Sequence, residues 1–110
     1  MKLEEVVEKV LERGLSLDLY RILSKVYGKR GEKAFRYLIE RRIKKYKDFF
    51  IVVGSEEYVV DEDFCTCKDF QINLKFRKPC AHMLAVEIAK RLRLFDEVDA
   101  YYVDYFEVSK

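Results

Sequence analysis

The chain of 110 residues has one proline, one histidine, one asparagine, one glutamine and three cysteines. An odd cysteine count, with no leader and no long apolar run, argues against a secreted scaffold of paired disulfides, and no membrane span is expected. A reducing cytoplasm is the expected setting. Cys-x-x-Cys is missing, so the common dithiol redox motif is missing with it. No His-x-Glu string accompanies the cysteines, as a zinc deaminase would require, and no glycine-rich loop is present to cradle phosphate. An enzyme is therefore not expected. No internal repeat or low-complexity linker divides the chain, and its length suits one domain, 1–110. Half the residues are apolar and 38% are charged, the balance of a solvated globule rather than a disordered segment. Scarce Asn and Gln beside abundant Lys, Arg and Glu lean towards a heat-adapted protein. A net charge of +2 names no partner by itself.

All three cysteines and the histidine fall in one stretch: Cys65-Thr66-Cys67, twelve residues, then Cys80-Ala81-His82. Three thiolates and one imidazole in two close pairs are the donor set of a closed tetrahedral structural zinc site. On an extended segment residues i and i+2 point to the same side, so Cys65 and Cys67 can grip one ion from a strand or knuckle. On a helix the same two positions lie about 200° apart and do not converge. Cys80 is therefore expected just outside a helix, with His82 in its first turn. Pro79 fits, because it holds Lys78 extended and stops the helix from growing backwards. The competing reading is three buried free cysteines and an incidental histidine. With Cys65, Cys67, Cys80 and His82 as ligands, one structural Zn2+ per chain is expected, with no open position for a water nucleophile.

The Cys-x-Cys…Cys-x-His pattern resembles the SWIM zinc-finger family. The likeness includes Tyr58-Val59-Val60 as a short strand before the knuckle and Asp69-Phe70 after it. It also includes Pro79-Cys80-Ala81-His82-Met83-Leu84-Ala85 opening an apolar helix, and covers about residues 49–95. The resemblance implies a structural zinc in a strand-strand-helix unit, with a role in binding DNA or partner proteins. Members include domains linked to transposases, to signalling kinases and to recombination-mediator complexes with recombinase paralogues. Residues 1–47 lie outside the motif.

Hydrophobic spacing places an acidic-faced helix over 2–13, stopped at Gly14. A second helix is capped by Ser16, buries Leu19, Ile22, Leu23 and Val26, and ends at Gly28. Gly28-Lys29-Arg30-Gly31 reads as a basic turn. A third helix is predicted from about Glu32 to Tyr46, with Phe35, Leu38, Ile39, Ile43 and Tyr46 as its apolar stripe. Its other face carries Lys33, Arg36, Tyr37, Arg41, Lys44 and Lys47, and Arg42 breaks the stripe. Phe49–Val53 and Tyr58–Glu62 read as a hairpin. Phe70, Ile72, Leu74 and Phe76 alternate with Gln71, Asn73, Lys75 and Arg77, the pattern of a half-buried strand with a basic outer face. Ala81–Phe95 is apolar almost all round and reads as the core helix. The fold class is thus α+β: N-terminal helices, then a small antiparallel sheet and a zinc-anchored helix.

Residues 25–47 hold ten basic side chains against two acids. DNA is accordingly the expected partner, contacted through Lys33, Arg36, Arg41, Lys44 and Lys47 on the third helix and Lys75 and Arg77 on the strand. The alternative is a module that docks a recombinase-like partner through its acidic first helix or its tail. That tail, 96–110, sets five acids among Val98, Tyr101, Tyr102, Tyr105 and Phe106 and reads either as a final helix on the core or as an interface. The oligomeric state is left open.

Overall fold

The structure, a computed structural model, describes residues 1–102; Tyr105 and Phe106 of the tail lie outside them. Helix α1 spans Glu5–Val10 and tightens into a 3-10 turn at Leu11–Arg13. Gly14 stops it, and Ser16 accepts a hydrogen bond from the Leu19 amide at 3.2 Å to start α2, Leu17–Tyr27. Helix α3 follows at once as Lys29–Ile39.

No basic loop separates α2 from α3. Gly28 alone makes the corner, at φ 64°, a conformation that side chains with a Cβ resist. Gly31 then lets the helices cross closely. A Cβ there would lie 2.1 Å from the Leu23 carbonyl oxygen. Leu19, Leu23, Ala34, Phe35 and Leu38 fill the space between and beneath the two helices.

The third helix is shorter than its apolar stripe suggests. It ends at Ile39, and Arg41 takes a left-handed backbone, φ 56°. The next residues form β1, Ile43–Lys45, paired antiparallel with β2, Phe50–Val53. Ile43 and Tyr46 are buried as expected, but from a strand and the turn after it; Ile39 is 56% exposed. The sheet satisfies the backbone groups of 43–45 that a longer helix would have paired internally. Arg41, Lys44 and Lys47 are therefore not on the helix face with Lys33 and Arg36.

Strand β3, Glu57–Asp61, completes the expected hairpin, and β4, Phe64–Cys65, adds to its edge. The sheet order is β4-β3-β2-β1-β5. Strand β5, Asp96–Glu97, pairs parallel with β1, so this part of the tail joins the sheet rather than a final helix. Helix α4, Ala81–Leu92, packs against α3 and four of the strands and is buried along most of its length. Its last carbonyls meet a left-handed Arg93, φ 55°.

The strand predicted over 70–77 is also absent. Asp69–Asn73 forms one π-helical turn, with the Leu74 amide donating to the Asp69 carbonyl at 2.9 Å. Phe70 is buried there, whereas Ile72 and Phe76 are 64% and 59% exposed. Knuckle geometry decides this. The chain leaves β4 through Cys65 and Cys67 and must turn back to reach Cys80, and Asp69 is tied to Arg30 and Asn73. No helix of the described residues is long and apolar enough to cross a membrane.

Candidate metal centre

Cys65 ends β4, and Cys67 lies two residues on, in the knuckle. Thr66 between them is clamped to β3: the Val59 amide donates to its hydroxyl at 3.0 Å, and its own amide donates to the Val59 carbonyl at 3.1 Å. Cys80 is the N-cap residue of α4, with extended backbone, and its carbonyl accepts from the Leu84 amide at 3.0 Å. His82 sits in the first helical turn. The placement from spacing and Pro79 is thus realised, with strand and helix delivering one pair each.

The four side chains converge. One potential ligand atom from each of Cys65, Cys67, Cys80 and His82 lies within 4.8 Å of all the others, and all four residues are buried. His82 Nδ1 is 3.7 Å from both Cys65 Sγ and Cys80 Sγ. Zinc bonds of about 2.3 Å to sulfur and 2.0–2.1 Å to nitrogen, at tetrahedral angles, put N and S about 3.6 Å apart. The donor set and its spacing therefore fit one zinc ion. The ring nitrogen facing the sulfurs is Nδ1.

Two tyrosines hold that ring. The Tyr37 hydroxyl lies 3.3 Å from His82 Nε2, and the Tyr58 ring stacks on the imidazole with centroids 4.1 Å apart. With a metal on Nδ1, Nε2 would carry the ring proton and donate it to the Tyr37 oxygen. That arrangement fixes the tautomer a metal ligand needs. The Phe70 amide donates to Cys67 Sγ at 3.4 Å. Among the free thiols the charge is unevenly shared. The hydrogen bond from Cys65 draws the Cys80 thiol down to about 4, helped by His82 and the Met83 amide against burial. The same bond to Cys80, together with burial, pushes Cys65 up, and burial pushes Cys67 up. Three thiolates around a divalent ion carry a net negative charge, and Arg30 lies near enough to Cys80 and Cys67 to feel it. Arg30 itself grips Asp69 through two bonds of 2.8 and 2.9 Å, and this pairing holds the Asp69 carboxyl down to about 2.

A family model for the SWIM zinc finger matches residues 49–91. A protein of Archaeoglobus fulgidus described as uncharacterized is 54% identical over 110 residues, 100% of this chain and 97% of its own length. Residues 49–91 are a SWIM zinc finger. No solved structure matches the chain. Its SWIM ligand set is the Cys-x-Cys…Cys-x-His set, and its finger is built on the hairpin, the knuckle and α4.

The basic residues proposed from sequence are divided by this fold. Lys33 and Arg36 line a cleft of about 910 Å³ together with Lys68, and Tyr37, Tyr58 and His82 also line it. Arg41 lies 3.9 Å from Asp96, and Lys47 lies 3.5 Å from Asp99 and over the Tyr101 ring. Lys44 stands on β1, opposite Ile51 and Asp96. Lys75 and Arg77 follow the π-helical turn. Nothing in the sequence ties Tyr37, Tyr58 or Arg30 to the metal centre. Tyr37 sits among cations on a helix 45 residues from His82, and no local spacing joins the two.

Proposed function

We propose that this SWIM protein is a small DNA-binding module whose zinc holds the fold together and performs no chemistry. Three thiolates and an imidazole complete a four-coordinate shell, which suits a structural rather than a catalytic ion. The observation that carries the DNA reading is the state of the cations beside the finger. Lys29, Lys33 and Arg36 stand at i, i+4 and i+7 of α3 and share one face. Neither they nor Lys68 makes an ion pair among the described residues; Lys33, Arg36 and Lys68 line the cleft beside the finger, and most of its acids are engaged: Glu40 by Arg42, Asp69 by Arg30 and Glu57 by the Tyr102 hydroxyl. Unpaired cations converging on a cleft favour a polyanion. Arg41 and Lys47, by contrast, are partly neutralised by the acids of the tail.

The test is fluorescence anisotropy with labelled DNA across a salt series. Affinity falls by about 0.9 log units per decade of salt for each duplex phosphate contacted. Lys33→Glu with Arg36→Glu and Lys68→Glu should weaken binding to every sequence and flatten that slope, with zinc content unchanged. Arg41→Glu with Lys47→Glu should do less. A second reading, docking of a DNA-processing partner such as a recombinase, is favoured by an adjoining cleft of about 570 Å³, which shares Lys33 and Arg36 with the first and adds Tyr20, Phe35 and the exposed Ile39. No binding to DNA even at low salt would transfer the function to that cleft.

A further inference from the structure

Phe76 and Phe64 are 59% and 42% exposed, large aromatic faces that the finger does not bury. Their rings are nearly parallel, 15° apart with centroids at 6.4 Å. Both rest edge-on against the buried Phe70, at 5.3 and 6.0 Å. The backbone is strained to hold Phe76 there. Lys75 and Phe76 both adopt left-handed conformations, φ 50° and 62°, which is unusual for one bulky residue and more so for two in succession. The Phe76 amide is fixed by the Phe70 carbonyl at 3.0 Å, and the Arg77 amide by that of Leu74 at 2.9 Å.

Beside Phe76 the charge is positive. Lys75, Arg77 and Lys78 flank Phe76, and none of them forms an ion pair among the described residues. The acids nearest in sequence to Phe64 are Asp61, Glu62 and Asp63, and Asp63 is taken by the chain amino group at 3.0 Å. The same turn is bolted to the basic helix, since Asp69 at its start is held by Arg30 of α3. Exposed rings set among unpaired cations and tied to a basic cleft are the ingredients of a single-strand site, where phosphates meet cations and bases lie on aromatic faces. Duplex bases are already stacked on one another, so the rings offer a duplex little.

We propose that Phe76, backed by Phe64, is a stacking platform for unpaired nucleobases, giving the protein a preference for single-stranded over duplex nucleic acid. This rests on the nucleic-acid reading of α3 and names its substrate class. A protein partner seated on the same rings is the rival outcome. The three unpaired cations within four residues favour the polyanion.

The test uses the full-length, zinc-loaded chain with labelled oligothymidylate and with a duplex of the same length. Phe76→Ala should weaken the single strand about 5- to 150-fold, the range of one lost base stack. Duplex affinity should stay within about twofold, since phosphate contacts set it. Phe76→Trp supplies a second readout in a chain that has no tryptophan of its own. Its fluorescence should be quenched by oligothymidylate and its affinity retained. Equal losses on both ligands in Phe76→Ala, no loss on either, or an unquenched tryptophan would overturn the platform. If the native chain binds DNA and Phe76→Ala changes nothing, only the platform falls, and the rings pass to a protein partner. If the native chain binds neither ligand, the reading of α3 falls with it.

Discussion

The Tyr37 hydroxyl sits 3.3 Å from His82 Nε2, on the side of the imidazole away from the cysteines. Helix α3, outside the SWIM match, thereby orients a zinc ligand on α4. Removing the hydroxyl while keeping the ring isolates this effect. Tyr37→Phe should weaken zinc affinity about 10–100-fold, the usual loss when a ligand's outer partner is removed. Competition against a chromophoric chelator measures it. Unchanged affinity would mean that the stacked Tyr58 ring alone holds the imidazole.

Zinc removal should unfold the finger. Structural zinc sites have apparent binding energies of about 10–16 kcal/mol, comparable to a whole domain's stability of about 5–15 kcal/mol. Chelation, or Cys80→Ala, should unfold at least residues 58–95. The α2–α3 pair should loosen as well, because α3 packs on α4. Circular dichroism during titration with a chelator follows the loss, and cobalt substitution should give a tetrahedral, sulfur-rich spectrum. A metal-free chain that keeps its native spectrum would contradict the assignment.

Gly31→Ala should destabilise. In an open helix this change is favourable by about 1 kcal/mol. Here the new methyl group meets backbone, the Leu23 carbonyl oxygen at 2.1 Å, which no side-chain rotation relieves. Forcing α2 and α3 apart should remove about 1–3 kcal/mol, as overpacking does elsewhere. Urea denaturation gives the sign, and a stabilised variant would show that the helices separate freely.

Truncation after Phe95 should lower stability and leave the remainder folded. The segment it removes supplies β5, the Val98 amide that donates to Lys45, the Ala100 carbonyl that accepts from Lys47, and the Tyr102 ring against Tyr46. Three or four such bonds at about 1 kcal/mol each suggest a loss of about 2–4 kcal/mol. Thermal melts measure it, and light scattering reports any change in association. An unchanged melting temperature would assign the tail to an interface instead.

The sequence by itself determined the metal centre. Ligand identity and spacing are local properties: Cys-x-Cys converges only on extended backbone, and Pro79 fixes where α4 begins, so the four donors and their two elements could be read directly. Ser16, Gly14 and Gly28 likewise marked their helix ends through local capping. Tertiary structure alone decided residues 40–46 and 69–77. Ile43 and Tyr46 suit a helical stripe and a strand equally, and pairing with β2 chose the strand. Phe70, Ile72, Leu74 and Phe76 alternate like a strand, but the turn needed to carry the chain from Cys67 to Cys80 overrode that period. The same contacts decided which cations face one another. Lys33 and Arg36 share a cleft with Lys68, while Arg41 and Lys47 are drawn to Asp96 and Asp99, because charge partners are set by the packing of distant elements rather than by helical phase.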